Sequence, residues 1–253
     1  MLLKDKVILI TGAGTGIGRG TSKVLHREGA TLILADINQT YLNETQQLIQ
    51  DDRNSVFTVV ADISTEEGVA SIMDFIVNQF GRLDGAFNNA GISGPSHAIV
   101  DYPNSDFDKV VAVDLKSVWM CLKAQIALML QQDTKGAIVN TASAGGIVGK
   151  PGISAYVAAK HGVVGLTKTA ALEYGKFGIR INAVCPGVIQ TEMLDNLIAS
   201  GNMGTLADWN ALQPIGRMGT TEEIGEFVAW ALSDRATLLH GQSIALDGGL
   251  TIA

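Results

Sequence analysis

Apolar residues come along this chain in short unbroken runs, separated by longer stretches of mixed character. Val7-Ile8-Leu9-Ile10 is the first run. Four apolar positions with no polar interruption read as a strand covered on both faces. Thr31–Ala35, Val56–Val60, Leu83–Phe87, Gly136–Asn140, Ile179–Val184 and Ser243–Leu246 bring the count of expected strands to seven. Between them the period lengthens to that of a helix. Helices are expected at residues 16–28, ending at Gly29, and at 39–50. Two long ones are expected from about Ser105 to Gln131 and from about Ser154 to Gly175. Ser64-Thr65-Glu66-Glu67 and Thr220-Thr221-Glu222-Glu223 read as capping boxes, opening helices that end near Phe80 and Leu232. Strands alternating with helices imply parallel pairing. The expected fold is α/β: one domain over residues 1–253, a doubly wound parallel sheet of seven strands with helices on both faces. Val188 to Gly219 breaks the rhythm. A long insertion at the end of a strand in such a fold is usually functional, so a substrate-binding lid is expected at about 188–216.

Composition narrows the classes of function. Hydrophobic residues make up 47% of the 253 and charged residues 17%, enough for a large core and against disorder. The net charge is −7 with no basic block, which argues against nucleic acid and anionic membrane surfaces as partners. The apolar runs are far too short to span a bilayer. Met1–Lys6 runs straight into the first strand without a cleavage pattern, so a cytoplasmic protein is expected. Cys121 and Cys185 form no CxxC and read as free thiols. The four histidines match no metal-ligand spacing, and no metal site is expected.

The chemistry gathers where the expected strands end. Thr11-Gly12-Ala13-Gly14-Thr15-Gly16-Ile17-Gly18 lies between the first strand and the first helix, as in a Rossmann-type nucleotide fold. Glycines there let backbone approach a pyrophosphate, and the helix N-terminus supplies free N–H groups. Asp36 ends the second strand and can accept ribose hydroxyls while repelling a 2′-phosphate, which favours NAD over NADP. No Arg or Lys follows Asp36 until Arg53, though Arg19, in the first turn of the helix, could in principle pair a phosphate. Asp62-Ile63 closes the third strand; Asp62 is suited to an adenine amino group or to capping the next helix. Asn89-Ala90-Gly91 closes the fourth with a turn fit to lie against a ribose. Tyr156 and Lys160 are one helical turn apart on one face. An ammonium beside a phenol favours the phenolate, which makes the pair a candidate base.

Together these residues resemble the short-chain dehydrogenase/reductase family. The resemblance covers essentially the whole chain and is carried by the T-G-x-x-x-G-x-G turn, Asn88-Asn89-Ala90-Gly91, Ser143, Tyr156-x-x-x-Lys160, Pro186-Gly187 and Asp247-Gly248-Gly249. It implies that Ser143 hydrogen-bonds the substrate oxygen, that Tyr156 is the general base or acid, and that Lys160 binds the nicotinamide ribose. It further implies that Pro186-Gly187 shapes the nicotinamide pocket and that the Ile189 backbone and Thr191 hydroxyl hold the carboxamide. The family usually has Asn where this chain has Asp114, at a helix kink, with its main-chain carbonyl holding a water that leads to the lysine; Asp keeps the carbonyl and adds a charge. The resemblance also implies a homotetramer assembled through the two long helices.

Residues 188–216 hold no Lys or Arg, and their apolar members include Met193 and Leu194. With Gly145, these are the candidate lining of a pocket for a neutral, apolar or cyclic secondary alcohol or ketone. The leading expectation is therefore an NAD-dependent dehydrogenase of such a small molecule. Two alternatives remain open: a 3-oxoacyl thioester reductase of the same family, and a non-catalytic NAD(H)-sensing protein.

Overall fold

The computed structural model describes residues 1–51, 55–132, 135–192, 194 and 205–253. All five residues of β1 (Val7–Thr11) are buried. Val7 and Leu9 enter one core layer while Ile8 and Ile10 enter the other, as the two-residue period of a strand requires. Each such side chain contributes about 1.5–3 kcal/mol by leaving water. β1 pairs in parallel with β2 (Thr31–Asp36) on one side and β4 (Gly85–Asn88) on the other. With β3 (Val56–Val60), β5 (Ala137–Thr141), β6 (Arg180–Pro186) and β7 (Ser243–Leu246), the sheet runs β3-β2-β1-β4-β5-β6-β7, every pair parallel.

One face is covered by α1 (Gly16–Arg27), α2 (Gln39–Ile49) and α8 (Thr221–Leu232), whose Leu25, Leu42 and Val228 pack on Ile8, Leu32 and Phe87. The other is covered by α3 (Glu66–Phe80), α5 (Ser117–Leu130) and α6 (Ser154–Tyr174), whose Ile72, Ile126 and Val163 pack on Leu9, Ile138 and Ile181. α4 (Asn104–Val111) leads into α5, and α7 (Leu206–Ala211) lies in the segment after β6. The chain winds from β1 outward to β3, then returns to β4 on the opposite side. The loops after β1 and β4 therefore part, and a crevice opens at the carboxyl ends of the strands.

Three expectations change in detail. The helix expected across 105–131 is broken at Ala112–Lys116 by one π turn, which turns Asp114 into the interior. β4 starts at Gly85 and not Leu83, because Asp84 is spent on Val7: its N–H donates to the Val7 carbonyl (2.9 Å) and its carboxylate accepts from the Val7 N–H (2.8 Å). The Ser64–Glu67 capping box does not form: Thr65 is the N-cap and accepts from Gly68 N–H. The Thr220–Glu223 box does form, with both reciprocal bonds present.

A ladder of buried amides ties the layers together. Asn88 on β4 exchanges hydrogen bonds with Gln125 on α5 (3.0 and 2.7 Å) and donates to Asn140 on β5 (2.9 Å). Asn140 in turn donates to the Thr167 hydroxyl on α6 (3.0 Å). The helix that carries Tyr156 and Lys160 is thereby fixed to the sheet by a directional contact as well as by packing.

Candidate active site

The glycine-rich turn is held by the loop opposite it. Thr11 accepts from the backbone N–H groups of Asn89 and Ala90 (3.0 and 3.2 Å), and the Asn89 amide donates to the carbonyls of Thr11 and Gly12 (both 3.2 Å). Gly12 has φ +63°, and a Cβ there would stand 2.7 Å from Ala90 Cα. A Cβ on Gly18 would stand 1.9 Å from the Gly12 carbonyl. No other residue fits either position. Thr15 is the N-cap of α1 but makes no side-chain cap bond. The Gly16 N–H instead donates to Glu192 Oε2 at 3.0 Å, across 176 residues of sequence.

Asp36 sits at the end of β2 with both oxygens engaged: Oδ2 accepts from Gly14 N–H and Oδ1 from Asn38 N–H, each at 3.0 Å. Arg19, the candidate phosphate partner, is already saturated. Its Nε donates to Gly14 O (2.9 Å) and Thr45 Oγ1 (3.0 Å), Nη2 pairs with Glu44 (2.9 Å) and Nη1 with Glu192 (3.3 Å). Asp62 is exposed and accepts from the backbone and hydroxyl of Ser64 (2.9 and 2.7 Å), so it shapes the entry to α3 while its other face lines the crevice.

The second cluster forms where β5, α6 and the π turn meet. Ser143, just past β5, has extended backbone and accepts from Gly145 N–H at 3.1 Å. A Cβ built on Gly145 would lie 3.6 Å from both Ser143 Oγ and Tyr156 Cε1, so Ser143 and Tyr156 flank one point. Lys160 is 2% exposed; its Nζ donates to the Thr141 carbonyl (3.1 Å) and lies 5.4 Å from the Tyr156 ring centroid. Asp114 is fully buried, with Oδ2 3.1 Å from Lys160 Nζ and Oδ1 accepting from Ile92 N–H at 2.8 Å. Burial opposes the lysine's charge, but Asp114 and then Tyr156 outweigh it, and the Lys160 pKa is raised. Burial pushes the Asp114 carboxyl up, with Lys160 pulling the other way. Cys185, on β6 beside this group, has its thiol pushed up to about 11 by burial.

A third wall comes from the segment after β6. Gly187 N–H donates to Leu246 O (3.0 Å), and Ile189 bridges to Gly219. Gln213, 2% exposed, accepts from Val188 N–H (2.8 Å) and donates to Arg217 O (2.7 Å). Met193 lies outside the described residues, as does the middle of the expected lid, residues 195–204. Leu194 is buried and its N–H reaches Thr191 Oγ1 at 3.4 Å. In α7, Trp209 has the Lys150 ammonium 5.8 Å from its ring centroid, so a cation from outside the 188–216 stretch does reach it.

One cavity of about 730 Å³ joins these parts. Gly12, Thr15, Gly16, Ile17, Asp36, Asp62 and Ile63 line one end. Asn89, Ala90, Gly91, Pro186, Gly187, Ile189 and Thr191 line the middle, and Asp114, Ser143, Tyr156 and Lys160 the other end. Gly18, Gly145 and Leu194 are not among its lining residues; Gly18 packs on Gly12, and Gly145 lies against Ser143, Tyr156 and Val157. Sequence reasoning missed Thr141, Lys109 and Tyr41 on the wall and Gln213 behind it. Thr141, two before Ser143 at the end of β5, was the one with a positional signal. The residues fit a dinucleotide. A helix N-terminus without its own cap already holds a carboxylate, and Asp36 stands at the same end of the cavity.

A family model described as enoyl-(acyl carrier protein) reductase matches residues 12–251. Levodione reductase of Leifsonia aquatica is 40% identical, over 98% of this chain and 95% of its own length. A crystal structure of levodione reductase, also 40% identical, superposes with a TM-score of 0.95 over 99% of both chains. A 2,5-dichloro-2,5-cyclohexadiene-1,4-diol dehydrogenase of Sphingobium indicum is 40% identical, over 98% of each chain. A structure of NAD⁺-bound xylitol dehydrogenase, 31% identical, superposes with a TM-score of 0.92 over 98% of this chain and all of its own.

Proposed function

The chain belongs to the short-chain dehydrogenase/reductase family, and from that premise we propose that it is an NAD-dependent oxidoreductase interconverting a neutral, apolar or cyclic secondary alcohol and its ketone. The observation that carries this reading is the single cavity joining Asp36 at one end to Ser143, Tyr156 and Lys160 at the other. Diol and cyclic-ring chemistry in the name of the Sphingobium relative supports the substrate class.

NAD supplies hydride acceptance or return at its nicotinamide when bound. The protein's part divides among its residues. The glycine turn and the head of α1 would hold the pyrophosphate, Asp36 the adenosine ribose, and Asn89–Gly91 with Lys160 the second ribose. Pro186, Gly187, Ile189 and Thr191 would frame the nicotinamide. Ser143 would donate to the substrate oxygen and fix it. Tyr156 would take the hydroxyl proton on oxidation and return it on reduction. Lys160 holds its positive charge 5.4 Å from the Tyr156 ring centroid, beside the group that would exchange the proton. Asp114 holds Lys160 in place and keeps it charged.

A panel of cyclic and acyclic secondary alcohols, assayed for NADH formation with NADP in parallel, tests the reading. NADH formation on a ring alcohol supports it; no turnover and no NADH binding would sink it. One observation favours the thioester reductase: Lys150 against Trp209 places a cation beside the segment that lacked one. Strong NADPH preference and activity on 3-oxoacyl thioesters would select that reading.

The protein is also taken to be a cytoplasmic homotetramer. Exposed Phe107, Trp119, Leu130 and Leu172 on α4, α5 and α6 support assembly through those helices. The two free buried thiols suit a reducing compartment. Among the described residues no helix is long and apolar enough to cross a membrane.

A further inference from the structure

We infer that Glu192 sets how tightly the cofactor is held, because its carboxylate occupies the anion seat at the head of α1 and a dinucleotide's pyrophosphate must displace it. The inference rests on the NAD reading above and adds a residue that neither the glycine turn nor the catalytic group contains.

The seat is defined by what its own N-cap leaves undone. The Gly16 N–H, at the first position of α1, has no partner within the helix and needs an acceptor from elsewhere, and Thr15 makes no side-chain cap bond to the turn either. Glu192 Oε2 supplies it at 3.0 Å. The adjoining Thr191 lies over the same turn: a Cβ on Gly16 would meet Thr191 Cγ2 at 3.3 Å. Glu192 Oε1 also reaches Arg19 Nη1 at 3.3 Å. Its side chain is 51% exposed, so leaving the seat costs it no burial in an apolar core.

The N-terminal end of a helix carries about half a positive charge, and an anion there is stabilised. One N–H cannot serve a carboxylate and a pyrophosphate oxygen at once, so binding becomes an exchange of one anion for another. Arg19 remains neutralised by Glu44 after the exchange and retains Gly14 and Thr45. The consequence is weaker binding and faster release of cofactor than the turn alone would give. Release of the reduced cofactor limits turnover in many enzymes, so such a residue acts on rate without touching the chemistry.

Titration of the full chain with NADH, read by fluorescence, tests this, with ADP-ribose and adenosine as competitors. Glu192→Ala should lower the Kd for NADH and ADP-ribose by roughly threefold at physiological salt and more at low salt, since the contact is half exposed and screened. Glu192→Gln, which keeps an acceptor oxygen but no charge, should fall between. Glu44→Gln removes the other carboxylate on Arg19 and should change the Kd by less than about twofold. Adenosine, which lacks the pyrophosphate, should bind all four proteins alike. Unchanged or weaker NADH binding by Glu192→Ala, or an equal gain for adenosine, would overturn the inference. A wild-type protein that binds no NADH would overturn the cofactor reading itself, and this inference with it.

Discussion

Asp114 Oδ2 lies 3.1 Å from Lys160 Nζ, and the side chains are 0% and 3% exposed. The carboxylate is held from behind by the Ile92 N–H, so it cannot swing away from the lysine without losing that bond. Burial by itself lowers the pKa of Lys160; Asp114 is the chief group that reverses this. The lysine's folded value is therefore raised. The stability it contributes is complete below the ordinary lysine value near 10.4, and is lost only as pH climbs through the raised value. Asp114→Asn leaves burial unopposed except by Tyr156 and Cys185. The alkaline limb of kcat for NAD-linked oxidation should move to lower pH, measured as a pH–rate profile. An unmoved limb would mean that Asp114 does not keep the charge on Lys160.

Tyr156 packs its ring on the small cluster of Val110, Ala155 and Ala159. Phenylalanine keeps that packing and removes only the hydroxyl. Tyr156→Phe should cut kcat by about 10²–10⁴-fold, the usual contribution of a positioned acid or base. Its Kd for NADH should stay within about twofold. Retained turnover would remove Tyr156 from the chemistry.

Asp36 has two duties, bracing Gly14 and Asn38 and presenting a negative wall. Asp36→Ala should lower kcat/KM with NAD by roughly thirtyfold, corresponding to about 2 kcal/mol for a lost charged hydrogen bond. The ratio of NADP to NAD activity should rise at the same time. Because Arg19 is saturated by two carboxylates, the variant should not reach NADP preference.

The amide ladder is a stability device. Asn140→Leu removes an acceptor for Asn88 and a donor to Thr167 in a site without solvent. The cost should be about 2 kcal/mol, or roughly 4–8 °C in Tm for a chain of this length. Calorimetry of the variant checks this, and an unchanged Tm would show that the ladder contributes only to orientation.

Much of the architecture was readable before any coordinates. Strands buried on both faces leave unbroken apolar runs, and β1 and β2 lie within a residue of where those runs stand. The glycine turn and Asp36 were visible because a strand end followed by close-packed glycines has few other uses. The π turn was not. Ala112-Val113-Asp114-Leu115-Lys116 contains no Gly or Pro, and every residue in it is acceptable in a helix. What opens the turn there is tertiary: a carboxylate drawn inward by Lys160 and the Ile92 N–H. Asn88 read as part of a loop motif, yet its side chain points into the ladder, because an amide in a strand end gives no sign of which face it serves. Arg19 read as able to pair a phosphate because the acids that occupy it lie far off in sequence, Glu44 by 25 residues and Glu192 by 173.

Gln213 gives no sequence signal, yet it binds Val188 at one side and Arg217 at the other with a single side chain. Both ends of the segment that follows β6 are therefore anchored to each other before the intervening residues contribute anything. On the proposed function, a change of substrate preference would fall in those intervening residues while Gly187 and Ile189 keep their hold on Leu246 and Gly219. Selection thus has a place to alter what the enzyme accepts without renegotiating how it reacts.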